Sequence, residues 1–409
     1  MGENKKNKVA ILRIGTRPSY EEVENTVKRL FDLLGGIRAM VPSSTRRVFV
    51  KPAIAFPEKP ETGMGTHPEA VCAVAKLLRD AGLDVFIGEG GGTGTGKNTQ
   101  KHFEVNGLAA LTAKMGIPLV DLKQTETVEV PVPHGVVVKA YHIAKPVLEA
   151  DFRVSVPVIK THCEATMTLS MKNMKGCLPI DDEKSRMHSI DLNSHLVDLN
   201  TLLKPHLSVV DGIVGLMGYG PGRPGIAMNL GLMLAGTAAL SVDATCARIV
   251  GYEPRDVEHL KLAEERGLGT TREEDIQIVG LPLSEAFFPN FVRPPRGVEG
   301  ISTYPNVKII DEGGCSSCIT ELAYVLETWV PKEKQRDGRP LTIVMGRNVD
   351  GKYGDNVVAM GKCTRPMKGC DGVNWLPGCP PNIRQFVDAV KKQLGYENEP
   401  DWKPPFADE

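Results

Sequence analysis

Apolar strand-like runs alternate with helical patterns along the first part of the chain, and this alternation limits the fold more than any other feature. Residues 9–14 read as a strand, and residues 21–34 as a helix with one apolar face. Residues 47–54 are strand-like again. Residues 67–81 place Val71, Val74, Leu77 and Leu78 at helical spacing, and Gly82 follows as a natural stop. Residues 85–87 give another strand. A βαβ alternation of this kind predicts an α/β protein with a mainly parallel sheet and helices on its faces. VEVPVPHGVVVKAYHIAK, residues 128–145, has period-two character around Pro-His-Gly and predicts a hairpin insert. Further strands are expected at 152–159, 207–210, 230–234 and 276–279, and helices at 190–203, 241–250 and 255–265.

Residues 281–305 contain five prolines and little periodicity, so they read as a linker or wrapping arm between an N-terminal domain, 1–280, and a C-terminal one. A second α/β pattern then begins. Strands are expected at 307–310, 341–345 and 357–360, and helices at 319–329 and 383–394, within a domain of residues 306–396. Residues 397–409 form a polar tail. With 409 residues the chain has room for more than one core. Apolar residues make up 41%, charged residues 24%, and net charge is −1. That balance gives no electrostatic reason to expect nucleic acid or an anionic membrane as partner. The apolar run near the start breaks at Arg13, so it reads as neither a signal peptide nor a membrane span, and a cytoplasmic location is expected by default.

Of nine cysteines, Cys72, Cys163, Cys177 and Cys246 are scattered, whereas Cys315, Cys318, Cys363, Cys370 and Cys379 crowd near the end. In a large chain without an export signal, clustered cysteines point to metal rather than disulfides. Cys315 and Cys318 lie in GGCSSCITELAYVLE, after a strand and at a helix start, where the helix dipole favours thiolate. Cys363 follows the strand 357–360, and Cys379 in LPGCPPN precedes the last helix. In a parallel unit the carboxyl ends of strands share one edge, so these segments converge. Four thiolates suit tetrahedral zinc or a [4Fe–4S] cluster. There is one CxxC pair, and the other ligands come singly, which argues for iron–sulfur.

Residues 306–395 resemble the iron–sulfur small subunit of NiFe hydrogenases and complex I, through the C-x-x-C loop after the first strand, MGKC and GCPP. The resemblance implies a flavodoxin-like fold and a [4Fe–4S] cluster held by Cys315, Cys318, Cys363 and Cys379. Cys370 lies between the last two and competes for the fourth place. Earlier in the chain, VFVKPAIAF with GMGTHPEAV, VPVIKTHCEATMTLSMKNMKGCLP, LSVVDGIVGLMGYGPGRPG and LAGTAALSVDATCARIVG resemble the family catalogued as domain of unknown function 362, over residues 8–280. That resemblance implies an α/β fold, often fused to iron–sulfur modules, and no established reaction.

The polar residues of these stretches carry their own chemistry. Lys51 ends a strand. Lys160 and His162 end another, with Lys172, Asn173 and Lys175 close behind. Asp211 follows the strand 207–210. Charged side chains at the carboxyl ends of parallel strands sit where α/β proteins bind ligands. The lysines predict a cationic mouth for a small anionic molecule, carboxylate or phosphate. Lys160, His162 and Asp211 are the expected catalytic residues; Lys51, Lys172, Asn173 and Lys175 are expected to bind substrate. His162, with an ordinary pKa near neutrality, is expected to relay a proton. Each also has a plain structural reading: Lys160 as the partner of Asp211 or Glu89, His162 as a wall residue.

GEGGGTGTGKN spells G-x-x-x-x-G-K from Gly91 to Lys97, the spacing of a phosphate-binding P-loop. Position 98 is Asn, where a P-loop needs a hydroxyl for Mg²⁺, and Glu89 sits close by. The stretch reads instead as a glycine-rich loop at the pocket mouth, with Gly94 and Gly96 letting a ligand approach the backbone. Together these readings predict an iron–sulfur redox enzyme acting on a small anionic substrate or cofactor precursor, with an electron-donor protein as partner. A non-catalytic electron-transfer or assembly partner, and an isomerase or lyase with a structural cluster, are the competing classes.

Overall fold

The computed structural model describes residues 6–92, 96–295, 297–301, 305–350 and 352–402. The chain divides into two compact units, one of Met1–Pro221 with Gly225–Arg293, the other of Gly222–Pro224 with Pro294–Glu409.

The first unit is built on a ten-stranded sheet. Its strands are β1 (Asn7–Arg13), β2 (Arg47–Pro52), β3 (Asp84–Glu89), β4 (Leu119–Asp121), β7 (Phe152–Val156), β8 (Val158–His162), β9 (Thr166–Thr168), β10 (Leu207–Gly218), β11 (Gly225–Gly236) and β12 (Ile276–Gly280). The main path runs β12-β1-β11-β10-β7-β2-β3-β4, with β8 and β9 branching from β10. The pairings are parallel except β1 with β11, β10 with β11 and β8 with β9. A separate two-stranded hairpin, β5 (Thr127–Pro131) with β6 (Ala140–Ala144), is the expected insert.

Central parallel strands covered on both faces must be apolar on both. In β2, Val48 and Val50 enter one core, and Phe49 between them enters the other. The first core packs under the helices Tyr20–Leu33 and Pro68–Asp80. Ser19 and Glu22 close a capping box at the start of the former, which then buries Val23, Val27, Leu30 and Phe31. Each such side chain contributes about 1.5–3 kcal/mol on burial, enough to fix which face turns inward.

One expectation is corrected. β10 is 12 residues long, not four, and Asp211 lies inside it rather than at its end. Its glycines are required by close packing: a Cβ on Gly212 would meet Leu232 O at 2.9 Å, and one on Gly215 would meet Ile159 O at 2.8 Å. The Pro-rich stretch, expected as a linker or wrapping arm, packs on the first unit over its first half. Ala286 and Phe291 are core residues of the first unit, and Phe288 N–H donates to Ile249 O.

The second unit has a four-stranded, all-parallel sheet of β13 (Val307–Glu312), β14 (Leu341–Gly346), β15 (Val357–Met360) and β16 (Val373–Leu376). The expected parallel α/β unit is present. Its strands stand in chain order, whereas a flavodoxin-like sheet reverses at its first strand. The tail docks in part: Trp402 is buried and its ring NH donates to Glu399. Residues 403–409 lie outside the described residues.

Candidate functional site

A tight turn from β8 to β9 folds the KTHCEATMTLSMKNMK stretch back on itself, pairing Lys160 with Thr168 and His162 with Thr166. The short helix Ser170–Asn173 starts directly after β9. Asp243, inside the helix Ala239–Ile249, accepts the N–H groups of Ser170 (2.9 Å) and Met171 (3.0 Å) and so fixes that helix. Burial raises the Asp243 carboxyl pKa to about 7 even so. Asp243 therefore caps a different helix from the one it sits on.

This arrangement collects Lys160, His162, Lys172 and Lys175 around one point. Lys160 is buried, and its Nζ donates to Met64 O at 2.6 Å. Burial lowers its pKa to about 8, with Glu89 acting against and Lys51 with that shift. Lys172 is 9% exposed. No hydrogen-bond or ion-pair partner of its ammonium group occurs among the described residues. Burial, and then the charge of Lys160, lower its pKa to about 7. His162 Nδ1 accepts from the N–H groups of Glu164 and Ala165, both at 3.2 Å, which leaves the proton of the neutral ring on Nε2. Burial and the neighbouring Lys172, His188, Lys175 and Lys160 hold its pKa well below the ordinary value. His162 is thus a neutral hydrogen-bond donor at physiological pH, not the neutral-range proton relay that its residue type suggested.

His188, from the helix Asp181–Ile190, was missed in the sequence. It stacks on His162 with centroids 5.9 Å apart. Its Nδ1 is 2.8 Å from Glu164 Oε2, and Lys175 Nζ bonds its Nε2. A Lys175–His188–Glu164 chain therefore borders the cluster. Its only sequence signal was a run of polar residues with no clear apolar stripe.

Two other expected residues are already satisfied. Lys51 Nζ donates to Glu89 Oε2 (2.7 Å), Pro52 O (2.7 Å) and Asn173 Oδ1 (3.3 Å), and the ion pair is fully buried. Burial would raise the Glu89 carboxyl, but Lys51 and the Ile54 and Gly90 N–H groups hold it below its usual range. Asn173 Nδ2 donates to Lys51 O and Ser155 Oγ. Asp211 is not a member of the lysine cluster. It alternates with Val209 and Ile213 toward the core under the helices, and accepts from His67 and Ile213 instead.

The glycine-rich loop is tied down by lysines the sequence did not single out. Lys184 Nζ donates to Gly90 O (3.0 Å) and Gly91 O (3.1 Å), and Lys123 Nζ to Gly96 O (2.7 Å). Gly92 N–H donates to Ala55 O at 2.8 Å. A P-loop offers N–H groups to phosphate; here carbonyls face cations and one N–H is spent inside the fold. The next helix starts at Gln100, after Lys97 rather than at it. Gly94 lies outside the described residues.

In the second unit, Cys315 is the N-cap of the helix Ser316–Tyr324, and Cys318 is buried one turn in. The Cys318 thiol pKa is pushed well up by a hydrogen bond with Cys315, by burial, and by the charges of Cys315, Cys379 and Cys363. Gly361, at φ +86°, comes so close that a Cβ there would lie 3.3 Å from Cys318 Sγ. Cys315, Cys363 and Cys379, from three segments of the unit, thus all act on Cys318. Among the described residues, no three His, Cys, Asp or Glu side chains stand in a metal-holding arrangement.

Residues 48–248 match the family model described as domain of unknown function DUF362. Thylakoid-associated protein sll1697 of Synechocystis sp. (strain ATCC 27184 / PCC 6803 / Kazusa) is similar at 28% identity over 257 residues, 61% of this chain and 76% of that protein. Among solved structures, the lactate racemase apoprotein from Thermoanaerobacterium thermosaccharolyticum aligns with a TM-score of 0.36 and 13% identity, over 87% of this chain and 72% of its own. A protein from Thermotoga maritima aligns at 0.33 and 10%, over 82% and 72%. Among the described residues no helix is long and apolar enough to cross a membrane.

Proposed function

We propose that the protein is an iron–sulfur redox enzyme whose first unit binds a small anionic substrate at Lys160, His162, Lys172 and Lys175. The observation that carries the reading is Lys172. An ammonium group that is nine-tenths buried and unpartnered is costly unless something negative completes it. A carboxylate or phosphate supplies that charge and raises the pKa of both Lys172 and Lys160 toward their ordinary values. Charge-assisted hydrogen bonds from the two ammonium groups orient the anion, and His162 Nε2–H supplies a neutral donor beside them.

In the second unit, Cys315, Cys318, Cys363 and Cys379 would hold a [4Fe–4S] cluster. Such a cluster supplies single electrons at a potential set by its surroundings. Cytoplasmic location and an electron-donor protein belong to the same proposal. The name of the Synechocystis relative points to a membrane-associated setting for that protein, which fractionation of this one would test.

The test uses protein purified without oxygen. The expected result is iron and sulfide in cluster stoichiometry, a reduced-cluster spectroscopic signal, and loss of that signal when a bound small acid accepts the electron. Zinc in place of iron overturns the cluster. Anions that bind but never reoxidise the reduced protein leave a carrier or assembly partner as the function.

A further inference from the structure

The two imidazoles of the lysine cluster do different work. His162 offers an N–H to the cluster, whereas His188 bridges two charged groups. Its Nδ1–H donates to Glu164 Oε2 at 2.8 Å, and its Nε2 accepts from Lys175 Nζ. The ring lies nearly parallel to that of His162, 10° apart, which fixes its rotation. Burial, and then the Lys175 charge, lower the His188 pKa to about 4 against the pull of Glu164. The ring is therefore neutral, and a neutral ring has one donor for the carboxylate and one acceptor for the ammonium group. Glu164 thus orients Lys175 through an uncharged spacer.

Charge and direction narrow the anion that this cluster fits. Lys160 comes from β8, Lys172 from the helix Ser170–Asn173 and Lys175 from the turn Met174–Cys177. Below about pH 7 they bring three positive charges. His162 and His188 are neutral, Glu164 brings one negative charge, and the nearby Lys51–Glu89 pair cancels itself. Three less one leaves two positive charges, the complement of a phosphoryl dianion. The donors also suit the shape of that group. A carboxylate holds two oxygens in one plane and is matched by the planar fork of an arginine, whereas ammonium groups act as point charges. Three of them on three elements, with His162 Nε2–H beside them, suit the oxygens of a tetrahedral group. Lys175 and Glu164 are partly exposed where Lys160, His162 and Lys172 are buried, so an ester group on the phosphoryl would leave past Lys175.

We infer that the lysine cluster binds a phosphoryl dianion, with Glu164 acting through His188 as the positioning residue for Lys175. This rests on the reading of the cluster as an anion site and narrows it from carboxylate or phosphate to the phosphoryl group. A phosphate monoester and the free ion share that chemistry.

The experiment is titration calorimetry on the full-length protein just below pH 7, with glycerol 3-phosphate, inorganic phosphate, succinate and acetate as probes. Both phosphates are expected to bind about tenfold tighter than either carboxylate, and to lose binding in Lys172→Met. Tighter binding of glycerol 3-phosphate than of inorganic phosphate assigns a monoester, and the reverse order assigns the free ion; both orders support the phosphoryl group. Succinate or acetate bound as tightly as the phosphates, and lost in Lys172→Met, keeps the anion site and overturns the phosphoryl assignment. No binding of any probe overturns the anion site itself, and this inference with it. Glu164→Leu and Glu164→Gln test the positioning. Each removes a negative charge near the anion, so charge alone predicts tighter phosphate binding in both. Positioning predicts binding several-fold weaker in Glu164→Leu, but wild-type or tighter in Glu164→Gln, whose amide oxygen still accepts from His188 Nδ1–H. The same change in both variants, in either direction, overturns the role of Glu164.

Discussion

Lys51 and Lys172 are both buried lysines of the first unit, and their surroundings differ in one respect. Lys51 has a carboxylate, a carbonyl and an amide oxygen within hydrogen-bond reach. Lys172 has no such oxygen among the described residues, and its strongest charged influence is another lysine. A buried charge closed by its own fold is architecture. A buried charge left open is a place for a ligand. Both residues come from KP and MKNMK stretches that look alike in the sequence, and only the oxygen count around each separates them.

The largest expected effect breaks the closed pair. Glu89→Gln should lower stability by about 3–5 kcal/mol, because removing one partner strands the other. Denaturant unfolding of the purified protein checks this. Lys172→Met should leave stability unchanged or raise it, and should abolish anion binding in calorimetry. A Lys172→Met protein as unstable as Glu89→Gln would erase the distinction.

The thiol cluster offers the next contrast. Cys318→Ala should remove iron from protein prepared without oxygen, whereas Cys370→Ala should keep it, because Cys315, Cys379 and Cys363 are the cysteines whose charges act most on the Cys318 thiol. Iron and sulfide analysis of the two variants decides it; iron lost from Cys370→Ala would mean that the fourth ligand was misassigned.

A smaller effect is pH dependence. Lys172 titrates at about 7 and Lys160 at about 8 in the free protein, both depressed. As pH rises through that window both lose charge, so anion affinity should fall, and binding below it should proceed without much proton uptake. In the same window the unfolded lysines still hold protons that the folded ones release, so their term in stability rises with pH from about 7 upward. Lys172→Met should flatten both trends. Titration calorimetry in buffers of different ionisation enthalpy reads the first, and unfolding at several pH values the second.

The smallest expectation is a null effect. Lys97→Ala should change neither anion binding nor stability, and ATP with Mg²⁺ should not be hydrolysed by either protein. Turnover that vanishes in the variant would restore the P-loop reading against the loop geometry.

The sequence alone determined the α/β class, the hairpin insert, the second parallel unit and most of the cationic residues. Periodicity is a local property: Val23, Val27, Leu30 and Phe31 share a helix face whatever packs on it. The KTH and MKNMK stretches are joined by a turn short enough that their meeting was also legible. Tertiary structure decided the rest. β10 was expected only over 207–210, and the approach of β11 and β8 shows why a strand can continue through Gly212 and Gly215. Lys184 and His67 were passed over because each acquires its role from a residue far along the chain, and His188 because its partners Lys175 and Glu164 lie on other elements. Asp211 was placed at a strand end, but it lies inside β10, where its carboxylate is taken by His67. Whether a charge is closed or open depends on which oxygens lie within hydrogen-bond reach, and those distances are set by the packing of elements remote in sequence. Spacing along the chain carries no record of them.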